Sequence, residues 1–314
     1  MAKVAYLFPG QGSQIVGMGQ EIVNAHESAK NIYSKADEQL NENLSGLMFE
    51  GPQEDLTKTI NAQPALLTSS VAIMSVLREN NIHADYLAGH SLGEYSALVA
   101  SGSMSFEDAV VTVRKRGELM EQAVPNGEGK MSAVLGMDRE ELKMVTDLVT
   151  EQGDPVQLAN LNCPGQIVIS GSAAGVEKAS LLAKEKGAKR CLPLHVSGPF
   201  HSSLMKPAAK EFEEVISSVT VNNATIPVIA NVTADVELDG NKIKKLLVAQ
   251  LYSPVLWEDT IQKLISLGVD TFIEVGPGKV LSGLVKKVER RAKTFPVYDE
   301  ETLQIALKAL KGVQ

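Results

Sequence analysis

The sequence predicts an α/β protein: a mostly parallel sheet covered by helices, with a smaller unit of order βαββαβ inserted into it. Three observations carry this. Short β-branched and aromatic runs alternate with helix-period segments, the pattern of strands joined by crossover helices. A Gly-x-Ser-x-Gly stretch, "GHSLG" at Gly89–Gly93, sits where one such strand gives way to a helix. After the turn-rich "VPNGEGK", ending at Lys130, the order of elements changes to that of a ferredoxin-like split unit.

The elements follow in chain order. Val4–Phe8 is a compact apolar run stopped by Pro9-Gly10 and reads as a buried strand. Helical periodicity covers Gly19–Gln39 and Gln63–Asn80, then comes a strand at Tyr86–Gly89 and a helix from Ser91. Ser105 and Asp108 are spaced like a capping box and open the next helix. In the middle of the chain, strands are expected at Met131–Gly136, Val156–Asn162, Gln166–Ser170 and Lys189–Leu194. Helices from Asp138 and over Ala173–Lys186 separate them, and Pro164-Gly165 makes a turn. The larger unit then resumes with helices at Ser202–Ser217, Asn241–Leu251 and Trp257–Leu267, a strand at Thr271–Val275 and a helix from Gly278. This division gives a large discontinuous domain, 1–128 with 196–314, and a small one over 129–195.

Composition narrows the function. The 314 residues carry 38 acidic and 30 basic side chains, a net charge of −8, which argues against nucleic acid as the main partner. Only a five-residue apolar run precedes Pro9, too short for a signal-peptide core, and no apolar stretch is read as long enough to span a bilayer. The two cysteines, Cys163 and Cys191, lack metal or redox spacing and read as reduced buried thiols. A cytoplasmic location free of nucleic acid and membrane is expected.

Chemistry centres on Ser91. Glycines two residues before and after let a strand and a helix meet at a very tight turn. The serine hydroxyl then projects from the sheet, at a helix N-terminus that favours negative charge. A serine N-cap in an ordinary connection would show the same five residues. In "LFPGQGSQ", Gly10 and Gly12 have neither a third glycine at Ile15 nor a following Lys-Ser/Thr, so dinucleotide and phosphate-loop readings are weak. The loop is better suited to present the N–H of Gln11 beside that of Leu92 as an oxyanion hole, or it is a plain turn.

For a base there are five histidines. His26 and His83 read as surface residues, and the His90 side chain should diverge from Ser91. Of His195 and His201, which bracket "VSGPF", His201 is preferred because Gly198-Pro199 fixes a turn ahead of it. The group orienting it is open among Asp138, Asp147, Asp154 and a backbone carbonyl. On the helix after Ser105, at about 100° per residue, Phe106, Ala109, Val113 and Met120 form one apolar stripe. Arg116 falls within it, while Arg114 and Lys115 are expected in solvent. A guanidinium on that face needs an anion, from an internal carboxylate or from a substrate.

Taken together, "FPGQGSQ", "QPAL" (Gln63–Leu66), "GHSLGEYSAL", "RG" (Arg116-Gly117), "GPFH" (Gly198–His201), "QLYSPVLW" and "EVGPG" resemble the malonyl-CoA:acyl carrier protein transacylase family over essentially the full chain. The resemblance implies an α/β-hydrolase-like core with an inserted ferredoxin-like subdomain. It implies malonyl transfer from malonyl-CoA to acyl carrier protein through a malonyl-serine, with no cofactor or metal. By the same resemblance Ser91 is the nucleophile and His201 its base, Gln250 orients that base through its carbonyl, and Gln11 and Leu92 hold the oxyanion. Arg116 clamps the carboxylate, Phe200 accompanies malonyl selection, and Gln63 and His90 belong to the substrate-binding set. For carrier docking, the basic run with Lys286, Lys287, Arg290 and Arg291 is the first candidate and Lys189-Arg190 the second; a solvated helix face would look the same. Two other classes share the pattern: a serine hydrolase or thioesterase releasing its acyl group to water, and a silent carrier-binding module, which intact Ser91 and His201 disfavour.

Overall fold

Lys3–Phe8 forms the first strand, β1, and its side chains alternate as a strand covered on both faces requires. Tyr6 and Phe8 pack into one apolar cluster and Ala5 and Leu7 into another on the opposite side. The structure, a computed structural model, describes residues 3–125 and 127–310. Asn126, in the turn used as a domain boundary, lies outside them, as do the two ends of the large domain.

After β1 come α1 (Gln20–Ala25), α2 (Glu27–Leu40), α3 (Leu44–Glu50), α4 (Gln53–Thr57) and α5 (Thr59–Glu79). Then follow β2 (Tyr86–Gly89), α6 (Gly93–Ala100) and α7 (Phe106–Gln122). The middle of the chain contains β3 (Gly129–Leu135), α8 (Arg139–Glu151), β4 (Val156–Cys163), β5 (Gln166–Ser172), α9 (Ala173–Glu185) and β6 (Arg190–Pro193). A 3-10 turn at Ser203–Met205 leads into α10 (Lys206–Ser217), β7 (Val228–Ile229), β8 (Val236–Glu237), α11 (Gly240–Gln250) and α12 (Trp257–Ser266). β9 (Val269–Val275), α13 (Val280–Val288), β10 (Lys293–Val297) and α14 (Glu300–Leu310) complete the order.

The six-stranded sheet has the order β10-β9-β1-β2-β7-β8 and is parallel except for the β7–β8 pair. The four-stranded sheet, β4-β5-β3-β6, is antiparallel throughout. In the parallel sheet Phe8 is in register with Gly89, so the loops leaving β1 and β2 emerge side by side at the carboxyl ends of the strands. The small sheet is tied by backbone to the connection between α11 and α12: Leu161 donates to the Val255 carbonyl (2.9 Å) and Val255 to that of Ala159 (2.8 Å).

Several expectations need correction. The helix read over Gly19–Gln39 is broken at His26, whose backbone is extended while its ring bonds Glu300 of α14 (2.9 Å). α3, α4, β7, β8, β10 and α14 were not read from the sequence. β7 and β8 are two residues each, and Pro296 argues against strand except at an edge, which is where β10 lies. α5 is long and apolar enough to cross a membrane, contrary to the sequence reading. Its apolar window is 83% buried inside the protein, as the core helix of the larger unit. Arg114 is not in solvent: it is 7% exposed and donates to the Ile60 carbonyl (2.8 Å), the Asn61 amide oxygen (2.7 Å) and Glu42. Cys163 is buried and Cys191 half-buried; both are free.

Phe272 on β9 is 1% exposed and shares a cluster with Trp257, the sole tryptophan. Phe272→Ala should lower unfolding free energy by about 3–5 kcal/mol, read from denaturant titration of the Trp257 emission. A loss below about 1 kcal/mol would mean that this face of the sheet is not close-packed.

Candidate active site

At the turn after β2, Ser91 has φ 51°, a left-handed conformation that costs a non-glycine residue about 1–3 kcal/mol unless its surroundings enforce it. Here they do. A Cβ on Gly89 would lie 1.9 Å from the Gly93 carbonyl carbon, and one on Gly93 2.1 Å from the Phe8 carbonyl oxygen. Only glycines admit this approach. The Ser91 N–H donates to Asn231 Oδ1 (2.7 Å), and Asn231 Nδ2 donates to the Gly89 carbonyl (2.7 Å), so one side chain grips both sides of the bend.

The Ser91 hydroxyl lies 2.9 Å from His201 Nε2. On the other side of the ring, Nδ1 donates to the Gln250 carbonyl (2.8 Å), which puts the proton on Nδ1 and leaves Nε2 to accept from the serine. The carbonyl thus takes the orienting place left open in the sequence. Asp138 caps α8, while Asp147 and Asp154 pair with Lys143 and Lys178. Burial, reinforced by the Arg116 charge, lowers the His201 pKa to about 3. His26 faces Glu300, His83 is exposed, and His195 is exposed on the segment beside the cavity mouth.

Arg116 is 1% exposed, yet no carboxylate among the described residues lies within ion-pair distance of it. Its guanidinium donates to Gln63 Oε1 (2.9 Å), Gln250 Oε1 (2.8 Å) and Ser91 Oγ (3.1 Å), and stands over the Tyr95 ring at 5.5 Å. Its Nε is buried without a partner. Glu94, the acid of this network, accepts instead from Gln250 Nε2 (2.7 Å) and the Asn231 N–H (3.2 Å), and burial pushes its carboxyl up to about 7. So a buried cation held by neutral oxygens sits at the Ser91 hydroxyl.

A cavity of about 310 Å³ opens over Ser91, lined by Gln11, His90, Leu92, Met120, Met131 and Phe200 among others. Among the described residues, no hydrogen bond consumes the N–H of Gln11 or of Leu92. His90 is fixed by Asn162 (2.9 Å), and Gln63 stands behind Arg116 rather than on the cavity wall. Lys286, Lys287, Arg290 and Arg291 are all exposed, but α13 stops at Val288, so they do not form one helix face. No cluster of three His, Cys, Asp or Glu able to hold a metal occurs among the described residues.

The family model for the acyl transferase domain matches residues 5–303. The chain belongs to the acyl transferase domain family. It is 62% identical over 311 residues to the malonyl CoA-acyl carrier protein transacylase of Bacillus subtilis, covering 99% of this chain and 98% of that one. A crystal structure of an acyl carrier protein S-malonyltransferase from Vibrio cholerae superposes with a TM-score of 0.95 at 44% identity, covering 97% of this chain and 100% of that one. A type II PKS acyl-carrier protein in complex with its malonyl-transacylase contains a chain matched at a TM-score of 0.96 and 41% identity, covering 98% of this chain and 100% of that one.

Two residues of this acyl transferase site escaped the sequence reading. Glu94 looks like an ordinary acid in the first turn of a helix, and Asn231 follows a two-residue strand with no periodic signal. Their bonds to each other, the bonds of Asn231 to Gly89 and Ser91, and that of Glu94 to Gln250 span 137 to 156 residues of chain. No local pattern could have joined them.

Because the folded His201 pKa lies below its usual 6.5, the unfolded chain takes up the proton first. This ring therefore withdraws stability as pH falls from 6.5 toward 3. Glu94, raised from 4.5 to about 7, withdraws stability in the opposite sense, as pH rises through that window. The His201 ring nitrogens, followed by NMR in the resting enzyme, should keep their neutral-imidazole shifts down to pH 5. A titration midpoint near 6.5 would contradict the burial argument.

Proposed function

We propose that this acyl transferase moves the malonyl group of malonyl-CoA onto the phosphopantetheine thiol of acyl carrier protein through an ester on Ser91. The observation that carries the reading is Arg116: a buried guanidinium, without an acidic partner among the described residues, 3.1 Å from the Ser91 oxygen. A malonyl group on that oxygen would bring its free carboxylate to the guanidinium as the missing anion. An acetyl group would leave the charge unpaired, and sites of this kind reject the lesser analogue by roughly 10⁴.

In this scheme His201 Nε2 takes the Ser91 proton as the oxygen attacks the thioester carbonyl. The N–H groups of Gln11 and Leu92 receive the oxyanion, each such donor contributing about 10²–10³ in rate. Collapse breaks the C–S bond, and the coenzyme A sulfur leaves with the proton from His201. The carrier thiol then enters, gives its proton to His201 and attacks the ester, and Ser91 recovers its proton on release. Phe200, Met120 and Met131 shape the acyl pocket, His90 lines its wall, and Gln63 steadies Arg116 from behind. The thioester is itself the substrate, and the transfer as written consumes no cofactor.

The larger unit is assigned as an α/β-hydrolase-like core over 1–128 and 196–314. The parallel sheet and a nucleophile on the turn after β2 support it. The segment 129–195 is assigned as a ferredoxin-like subdomain, supported by its βαββαβ order and the strand order β4-β5-β3-β6. The exposed Lys286, Lys287, Arg290 and Arg291 are the docking face assigned to the acidic carrier protein, and two free cysteines suit a reducing cytoplasm.

A single-turnover experiment tests the reading. Mixed with malonyl-CoA, the enzyme should gain one malonyl mass on Ser91 and keep it until a pantetheine thiol is added, and Ser91→Ala should gain none. Rapid release of malonate to water would make the chain a thioesterase, and absence of labelling would make it a silent binding module.

A further inference from the structure

Among the described residues, the small antiparallel sheet hydrogen-bonds to His201 through one side chain, Gln157 on β4. Its Nε2 donates to the carbonyls of His201 (3.1 Å) and Tyr252 (3.3 Å), and its Oε1 accepts the Ser203 N–H (2.9 Å). Among the described residues, no other backbone donor reaches either carbonyl. The residue so held is in a costly conformation: His201 has φ 58°, one of the few non-glycine residues with a left-handed backbone. Its own N–H donates to the Leu251 carbonyl (3.0 Å) and its Nδ1 to that of Gln250 (2.8 Å). The base is therefore gripped at N–H, ring and carbonyl. Of these grips the N–H and ring are held from the end of α11 and the carbonyl by Gln157 of the small sheet, whose strand β4 is itself fixed by its ladder to β5 and by the Val255 bridge.

We propose that Gln157 is a positioning residue for the base, through which the small sheet sets the reach of His201 Nε2 to the nucleophile. A strained backbone relaxes once an enforcing contact is removed, and a ring pivoting about its Nδ1 bond loses its alignment to Ser91 Oγ. A misplacement of about 1 Å can cost about 10²-fold in rate. Binding of the acyl group, carried by Arg116 and the cavity wall, does not pass through Gln157. The inference rests on His201 being the base.

The test measures both half-reactions in rapid-mixing experiments: acylation by malonyl-CoA and deacylation by pantetheine. Gln157→Ala should slow both about 10²-fold with the KM for malonyl-CoA unchanged, since one imidazole serves both steps. Gln157→Met, which keeps the length of the side chain and loses its polar atoms, should behave alike and carries the test if the alanine variant fails to fold. Added to His201→Ala, either substitution should cost nothing further, because a residue acting only through the imidazole has no effect once it is gone. Undiminished rates in the single variants, or the same fractional loss on the His201→Ala background, would overturn the proposal. Failure of the wild-type enzyme to label at Ser91 would instead remove the function above, so the two failures are distinct.

Discussion

A buried guanidinium with no carboxylate at ion-pair distance among the described residues is the constraint around which this site is arranged. Burying an unpaired cation costs several kcal/mol, and the fold offsets part of that cost with the amide oxygens of Gln63 and Gln250 and the face of Tyr95. Neutral oxygens accept from both terminal nitrogens without cancelling the charge, and Nε is left unpaired among the described residues. Glu94 is near enough to join the network, but its Oε2 accepts from Gln250 and Asn231 instead. The surplus positive potential is left at the Ser91 hydroxyl, where a bound acyl group would place a carboxylate.

The same potential affects the base. Arg116 joins burial in lowering the His201 pKa, which keeps the imidazole neutral and ready to accept a proton. A carboxylate behind the ring, as in a Ser-His-Asp arrangement, would raise the basicity and place a negative charge close to the guanidinium. The Gln250 carbonyl orients the ring without a full charge, while the side chain of the same residue bonds Arg116. One glutamine thus links the Arg116 guanidinium to the His201 imidazole. Ser91 and His201 also both sit in left-handed backbone, each enforced by contacts from distant parts of the chain: Asn231 for Ser91, and the 250–252 segment with Gln157 for His201.

Much of this was legible in the sequence where the signal is local. Gly89 and Gly93 flank Ser91 because backbone packs on both sides of the bend, and that spacing is visible as five residues. Arg116 was legible because helical periodicity places it among Ala109 and Met120. Arg114 was misread by the same reasoning, since α7 is covered on a second side by the residues around Ile60 and by Glu42. The compact apolar run of β1, stopped by Pro9-Gly10, foretold a buried strand. Illegible parts depend on distance: Asn231, Glu94 and Gln157 look like ordinary polar residues and acquire roles only when strands far apart in sequence are brought together. The helix break at His26 is of the same kind, set by a contact with α14.

The most direct measurement of the central claim is the partition of Arg116→Ala between acyl groups, with malonyl-CoA and acetyl-CoA competing for Ser91 and the product read by intact mass. If the guanidinium supplies the charge that recognises the acyl chain, malonyl labelling should fall by about 10³-fold or more while acetyl labelling stays level or rises. Equal losses with both thioesters would show that Arg116 supports the fold alone and would contradict the account.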